Sequence, residues 1–179
     1  MPRDTGALRA DSALILKGTH RQLGGPSQAA LLFQVVQLYK YDTMGVVKIV
    51  IDTSAILAVI AEQPEKPDLV RLTRGAILVA PASVHWEMGN ALSAMFKRRA
   101  IGIRDALRLL EAYAAIPIRT VEVGLKQAVE MSAKWNIYAC DAYVLACAIN
   151  ERAPLLTLDG GLRERARELK LDVLEAKSR

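Results

Sequence analysis

Cysteine and histidine are scarce in this chain: two of each in 179 positions. Cys140 and Cys147 fall in one predicted helix, where seven residues at about 1.5 Å each part them by about 10 Å, too far for a disulfide. His20 and His85 lie far apart in sequence, so no Cys/His zinc pattern forms. These absences exclude a disulfide scaffold and a zinc module. They point to a reduced, cytoplasmic protein that uses oxygen ligands if it uses a metal. Long uncharged spans are also missing, which excludes a transmembrane helix and with it a membrane partner. The chain lacks the early apolar run and small-residue cleavage site of a secretory signal, and it shows no internal repeat or low-complexity tract.

What is present fits one domain with some surplus at one end. Hydrophobic residues make up 52% of the chain, ample for a core. The net charge of +5 comes from 24 Lys+Arg against 19 Asp+Glu. That excess permits a phosphate-rich partner without demanding one.

Residues 1–43 differ in character from the rest. They mix Gly, Ser, Arg and Pro around Gly24-Gly25-Pro26, with one apolar patch from Ala29 to Tyr39. The expectation is an N-terminal extension outside the fold, with the domain spanning 44–179. The rival reading is a short helix from Ser27 to Tyr39. From Val46 onward strands and helices alternate. Val46 to Ile51 is a β-branched run typical of a strand buried on both faces. Ala76 to Ala80, ended by Pro81, reads as the next strand. A long helix follows, with Ser83 as its cap and Lys97-Arg98-Arg99 in its last turn, and another runs from Ile103 to about Ala115. Pro117 to Val121, Leu155 to Leu158 and Asp172 to Leu174 read as further strands. Val123 to Trp135, Asp141 to Asn150 and Leu162 to Leu169 read as helices. Such alternation favours a parallel sheet covered on both faces, an α/β fold.

Four acids occupy telling positions in that order. Asp52 follows the first strand and Asp159 follows the Leu155–Leu158 strand, so both are aimed at the crevice beyond the carboxyl ends of the strands. Either alone is also an ordinary helix cap. Glu87 shares an apolar stripe with Ala91, Ala94 and Met95, and Asp141 stands in the same relation to Val144, Leu145 and Ala148. Charged side chains are rarely buried unless paired or bound to metal, and Lys and Arg are scarce in these stretches. If the four converge, their charge requires cations or protons, and hard Mg²⁺ or Mn²⁺ suits carboxylate oxygen. The chemistry indicated is phosphodiester hydrolysis with no Lys, His or Cys nucleophile.

Four segments carry a family resemblance: Ile51-Asp52-Thr53-Ser54-Ala55, the run from Trp86 to Leu92, the run from Asp141 to Ala146, and Thr157-Leu158-Asp159. In this order and spacing they resemble the motifs of PIN domains, in particular the VapC-type toxins of toxin–antitoxin pairs, over roughly Val46 to Leu174. The resemblance implies a three-layer α/β/α sandwich with a short parallel sheet and a Mg²⁺- or Mn²⁺-dependent endoribonuclease. It further implies a homodimer neutralised by a cognate antitoxin. By position, Asp52, Glu87, Asp141 and Asp159 are then the catalytic metal ligands. Thr157 matches the family's hydroxyl residue, and Asn90 is expected to support Glu87.

Lys97, Arg98, Arg99 and Arg104 are candidate RNA contacts, against the alternative of a solvated helix end. Trp86 is expected to pack against its helix neighbours rather than stack on a base. Two other classes stay open: a PIN-fold RNA-processing nuclease outside any toxin–antitoxin system, and a PIN module that binds RNA without cutting it. A haloacid-dehalogenase-type phosphatase would need a second Asp two residues after Asp52, where this chain has Ser54.

Overall fold

The computed structural model describes residues 47–177. The expected extension 1–43, its alternative helix and the division at residue 44 lie outside them. In order, the described elements are β1 (Lys48–Ile51), α1 (Thr53–Ile60), α2 (Lys66–Thr73), β2 (Ile77–Pro81), α3 (Val84–Lys97) and α4 (Ile103–Ala114). They continue with β3 (Ile118–Val121), α5 (Leu125–Trp135), α6 (Ala139–Glu151), β4 (Leu155–Leu156), α7 (Gly160–Glu168) and β5 (Val173–Leu174).

All strand pairs are parallel, in the order β3-β2-β1-β4-β5. Successive side chains of a strand point to opposite faces, and the burial follows that alternation. Ile49 and Ile51 of β1, with Ala80 and Leu156, pack under Ile56, Leu69, Met88 and Leu92 of α1, α2 and α3. Val50, Val79 and Leu155 face the other way, against Val144–Ala148 of α6 and Leu162 and Ala166 of α7. The result is three layers, helices on both faces of one short sheet. Among the described residues no helix is long and apolar enough to cross a membrane.

The chain winds outward from β1 through β2 to β3, then crosses back to lay β4 on the free side of β1. The order therefore reverses between β1 and β4, the place in an open parallel sheet where a crevice opens beyond the strand ends. Asp52 leaves β1 there, and the Thr157–Asp159 loop leaves β4.

Several boundaries differ from those expected. Pro81 does not stop β2 but closes it, because its partner Val121 lies in β3 while the pairing to β1 ends at Val79. The ladder on the β1 side therefore has no use for the N–H that proline lacks. β4 is shorter than expected. The Leu158 and Asp159 N–H groups donate to the hydroxyls of Ser54 and Thr157 instead of continuing a ladder. The last-turn position expected for three basic residues holds for Lys97 alone: Arg98 is the C-cap of α3 and Arg99 lies beyond it at φ 56°.

Candidate active site

Asp52 ends β1 in extended backbone and caps α1. Its Oδ2 accepts the Ser54 N–H at 3.1 Å, the Thr157 hydroxyl at 2.9 Å and the Ser54 hydroxyl. The residue is only 7% exposed. Asp159 caps α7, accepting the Leu162 N–H on Oδ1 at 2.8 Å. The cap reading and the crevice reading of both acids are thus compatible: a strand-to-helix turn at the sheet's carboxyl edge needs a capping oxygen and also faces the crevice.

Glu87 stands in the first turn of α3, half-buried. Each of its oxygens is engaged by a hydroxyl, Oε1 by Ser83 at 2.8 Å and Oε2 by Thr53 at 3.1 Å. Ser83 was expected to cap the helix, but it has helical backbone and makes no cap bond, so its hydroxyl serves Glu87 instead. Asn90, expected in that supporting role, is exposed and forms no side-chain hydrogen bond among the described residues. The signal for Ser83 was a spacing of four on one helix face; Thr53 gave none, since its contact spans the sheet edge. Asp141 lies in the first turn of α6, two residues further into the helix than expected.

The acids are electrostatic neighbours. Burial raises the Glu87 carboxyl above its ordinary range; the Ser83 and Thr53 hydrogen bonds pull it down, and the Asp52 and Asp141 charges push it up. Asp141 is raised by burial first, then by the charges of Asp159 and Asp52. The Cys140 thiol is likewise raised, by partial burial and then by the charges of Glu87 and Asp141. Among the described residues, no three His, Cys, Asp or Glu side chains close into a ready coordination cage. The charge effects link Glu87 with Asp52 and Asp141, and Asp141 with Asp52 and Asp159, so each of the four acids feels at least one of the others.

None of these acids forms an ion pair among the described residues. The pairs present use Glu62, Asp68, Glu130, Glu151, Glu168 and Glu175. A buried carboxylate without a cationic side chain is costly. The donor set is all hard oxygen, which fits Mg²⁺ or Mn²⁺, and Mg²⁺ completes its shell with water rather than demanding a closed protein cage.

Other expectations fare unevenly. Trp86 is 71% exposed, not packed. Val84, Met88 and Leu92 define the buried stripe of α3, and Trp86 lies on the opposite side of the helix. Trp135 is half-buried, with Lys134 and Arg165 within 6 Å of its ring. His85 is exposed, its Nδ1 2.9 Å from the Tyr113 hydroxyl. Lys97, Arg98, Arg99 and Arg104 are all exposed. Lys97, Arg98 and Arg99 lie at or just past the far end of α3, about 15 Å or more from Glu87 along the helix axis at about 1.5 Å per residue, and Arg104 stands in the first turn of α4.

The family model of the PIN domain matches residues 49–168. Among solved structures, that of PAE2754 from Pyrobaculum aerophilum matches with a TM-score of 0.51 at 18% identity, over 67% of this chain and 86% of that one. VapC20 of Mycobacterium tuberculosis, a sarcin-ricin loop cleaving toxin, matches with a TM-score of 0.49 at 18% identity, over 65% of this chain and 94% of that one. At such identities the likeness is one of fold. No curated protein matches the chain.

Proposed function

This chain belongs to the PIN domain family, and from that premise we propose that it is a metal-dependent endoribonuclease, the toxin of a toxin–antitoxin pair. The observation that carries the nuclease reading is the unpaired acid set: Asp52 is buried, Glu87 and Asp141 are half-buried, and none has a Lys or Arg partner among the described residues. Asp52, Glu87, Asp141 and Asp159 are the residues that would hold the ion. When bound, Mg²⁺ or Mn²⁺ supplies Lewis acidity toward water and phosphate oxygen and offsets the charge of the scissile phosphate.

The side chains do the positioning. Thr157 and Ser54 fix the Asp52 carboxylate, and Ser83 and Thr53 fix that of Glu87. The cations at the end of α3 suit a more distant part of the RNA backbone, where they add salt-dependent, sequence-blind affinity. Labelled RNA and a phosphomonoester, each with Mn²⁺ and with EDTA, test this reading. RNA should be cut internally in Mn²⁺, EDTA should abolish cutting, and the phosphomonoester should survive. Cutting that persists in EDTA would remove the metal from the mechanism. Binding of RNA without cutting would favour the non-catalytic PIN module.

The toxin role rests on the resemblance of the four motifs to VapC-type toxins. It calls for a neighbouring reading frame encoding a small antitoxin with a DNA-binding N-terminus and a disordered tail; without one, an RNA-processing role is the better reading. A homodimer is supported by α4, whose Ile103 and Leu107, one helical turn apart, are 64% and 52% exposed. Light scattering of the isolated chain at micromolar concentration should report twice the chain mass, and a clean monomer would refute the dimer.

A further inference from the structure

Ser54 enters the reading above only as one of the groups that fix Asp52, yet its hydroxyl also joins the end of β1 to the loop that leaves β4. It donates to Asp52 Oδ2 and accepts the Leu158 N–H at 3.0 Å. Its own backbone N–H reaches the same Oδ2 at 3.1 Å, and the Thr157 hydroxyl reaches it at 2.9 Å. The Thr157 hydroxyl in turn accepts the Asp159 N–H at 3.0 Å. A hydroxyl has one proton and two lone pairs. With both protons committed to Oδ2, the 3.3 Å approach of the Ser54 and Thr157 oxygens carries no hydrogen bond of its own.

Two consequences follow for Asp52. Three donors saturate Oδ2, so the oxygen open to a ligand is Oδ1, which accepts no hydrogen bond among the described residues. The rotation of the carboxylate is fixed as well, because the donors approach from both strand ends. The backbone carrying Asp159 hangs on the same pair of hydroxyls, so the separation of Asp52 and Asp159 is set by the cross-link.

We infer that Ser54 is a positioning residue of the acid site, a latch between β1 and the β4–α7 loop that presents Asp52 through a single oxygen and holds Asp159 in register with it. The inference rests on the metal-dependent reading, since it concerns how the acids meet a cation. Outer-sphere partners of this kind are worth roughly 10–100-fold in metal affinity.

The test is calorimetric titration of Mn²⁺ into the metal-free full chain, with thermal melts in EDTA alongside. Ser54→Ala should weaken Mn²⁺ binding about tenfold or more, by that same outer-sphere range. Ser54→Thr, which keeps the hydroxyl, should bind nearly as wild type. A serine of purely structural value would lower the melting temperature in EDTA and leave Mn²⁺ affinity where it was. Equal affinity of S54A and wild type overturns the latch, and so does S54T binding as weakly as S54A. If S54A does not fold, Ser54→Cys keeps the volume with only a weak donor and should show the same loss; unchanged affinity there counts against the latch equally. Wild type that binds no Mn²⁺ brings down the metal-dependent reading and the latch together. Wild type that binds while the variants bind equally brings down the latch alone.

Discussion

Asp141→Asn should reduce RNA cleavage in Mg²⁺ or Mn²⁺ by at least about a hundredfold, the upper end of what loss of an outer-sphere partner costs a metal site. At neutral pH it should also raise the melting temperature of the metal-free protein. Asn keeps the size and hydrogen-bonding capacity of Asp and removes the charge. Burial, Asp159 and Asp52 together hold the Asp141 carboxyl above its ordinary range in the folded chain. A folded-state pKa above the unfolded one means that the native state holds the proton more tightly. Its contribution to stability is therefore intact below the usual carboxylate range and lost as pH rises through the raised value. The gain from Asn should accordingly be absent near pH 3, an acidity just below the reference value of about 3.9, and complete by neutral pH. Melts of both proteins in EDTA at the two pH values measure it. An Asp that only capped its helix would lose stability on this substitution, not gain it. Wild-type cleavage by the variant would defeat the mechanism outright.

Leu145→Ala should cost about 2–5 kcal/mol, the usual range for emptying a closed core site. Leu145 is fully buried in α6, in the unbroken buried run Val144–Ala148 that covers one face of the sheet. The neighbouring alanines are too small to collapse into the void. In a domain of this size such a loss lowers the melting temperature by roughly 10 °C. Leu125→Ala, at the exposed start of α5, is the control and should change stability by less than about 0.5 kcal/mol. Equal losses at both positions would mean that the sheet face covered by α6 is misassigned.

Much of this architecture was legible in the chain itself. β1 announced itself by an unbroken β-branched run, and the four acids by their places at strand and helix ends. Helix ends were harder to read. α5 and α6 close on Asn136 and Arg152, both in left-handed conformation near φ 50°, and Arg99 and Lys170 adopt it just past α3 and α7. Glycine is the usual signature of such an end, and none of these positions carries it. Trp86, expected to pack, stands outside because the helix phase puts it opposite the buried stripe of Val84, Met88 and Leu92. Of the hydroxyls around the acids, Thr157 was legible from its motif and Ser83 from its spacing to Glu87, but Thr53 was not. Thr53 and Glu87 are 34 positions apart, and only the pairing of strands brings them together.

The crossing back from β3 to β4 also fixes when the site is finished during synthesis. Asp52 and the Thr157 that steadies it are 105 positions apart, and among the described strands β4 docks on the side of β1 away from β2 and β3, which are made earlier. A nascent chain still short of Leu155 holds Asp52, Glu87 and Asp141 but neither the Thr157 hydroxyl nor Asp159. β1 then presents a bare edge, and the first acid lacks its cross-strand clamp. On the ribosome, such a chain carries an incomplete acid set until the residues from Leu155 onward emerge.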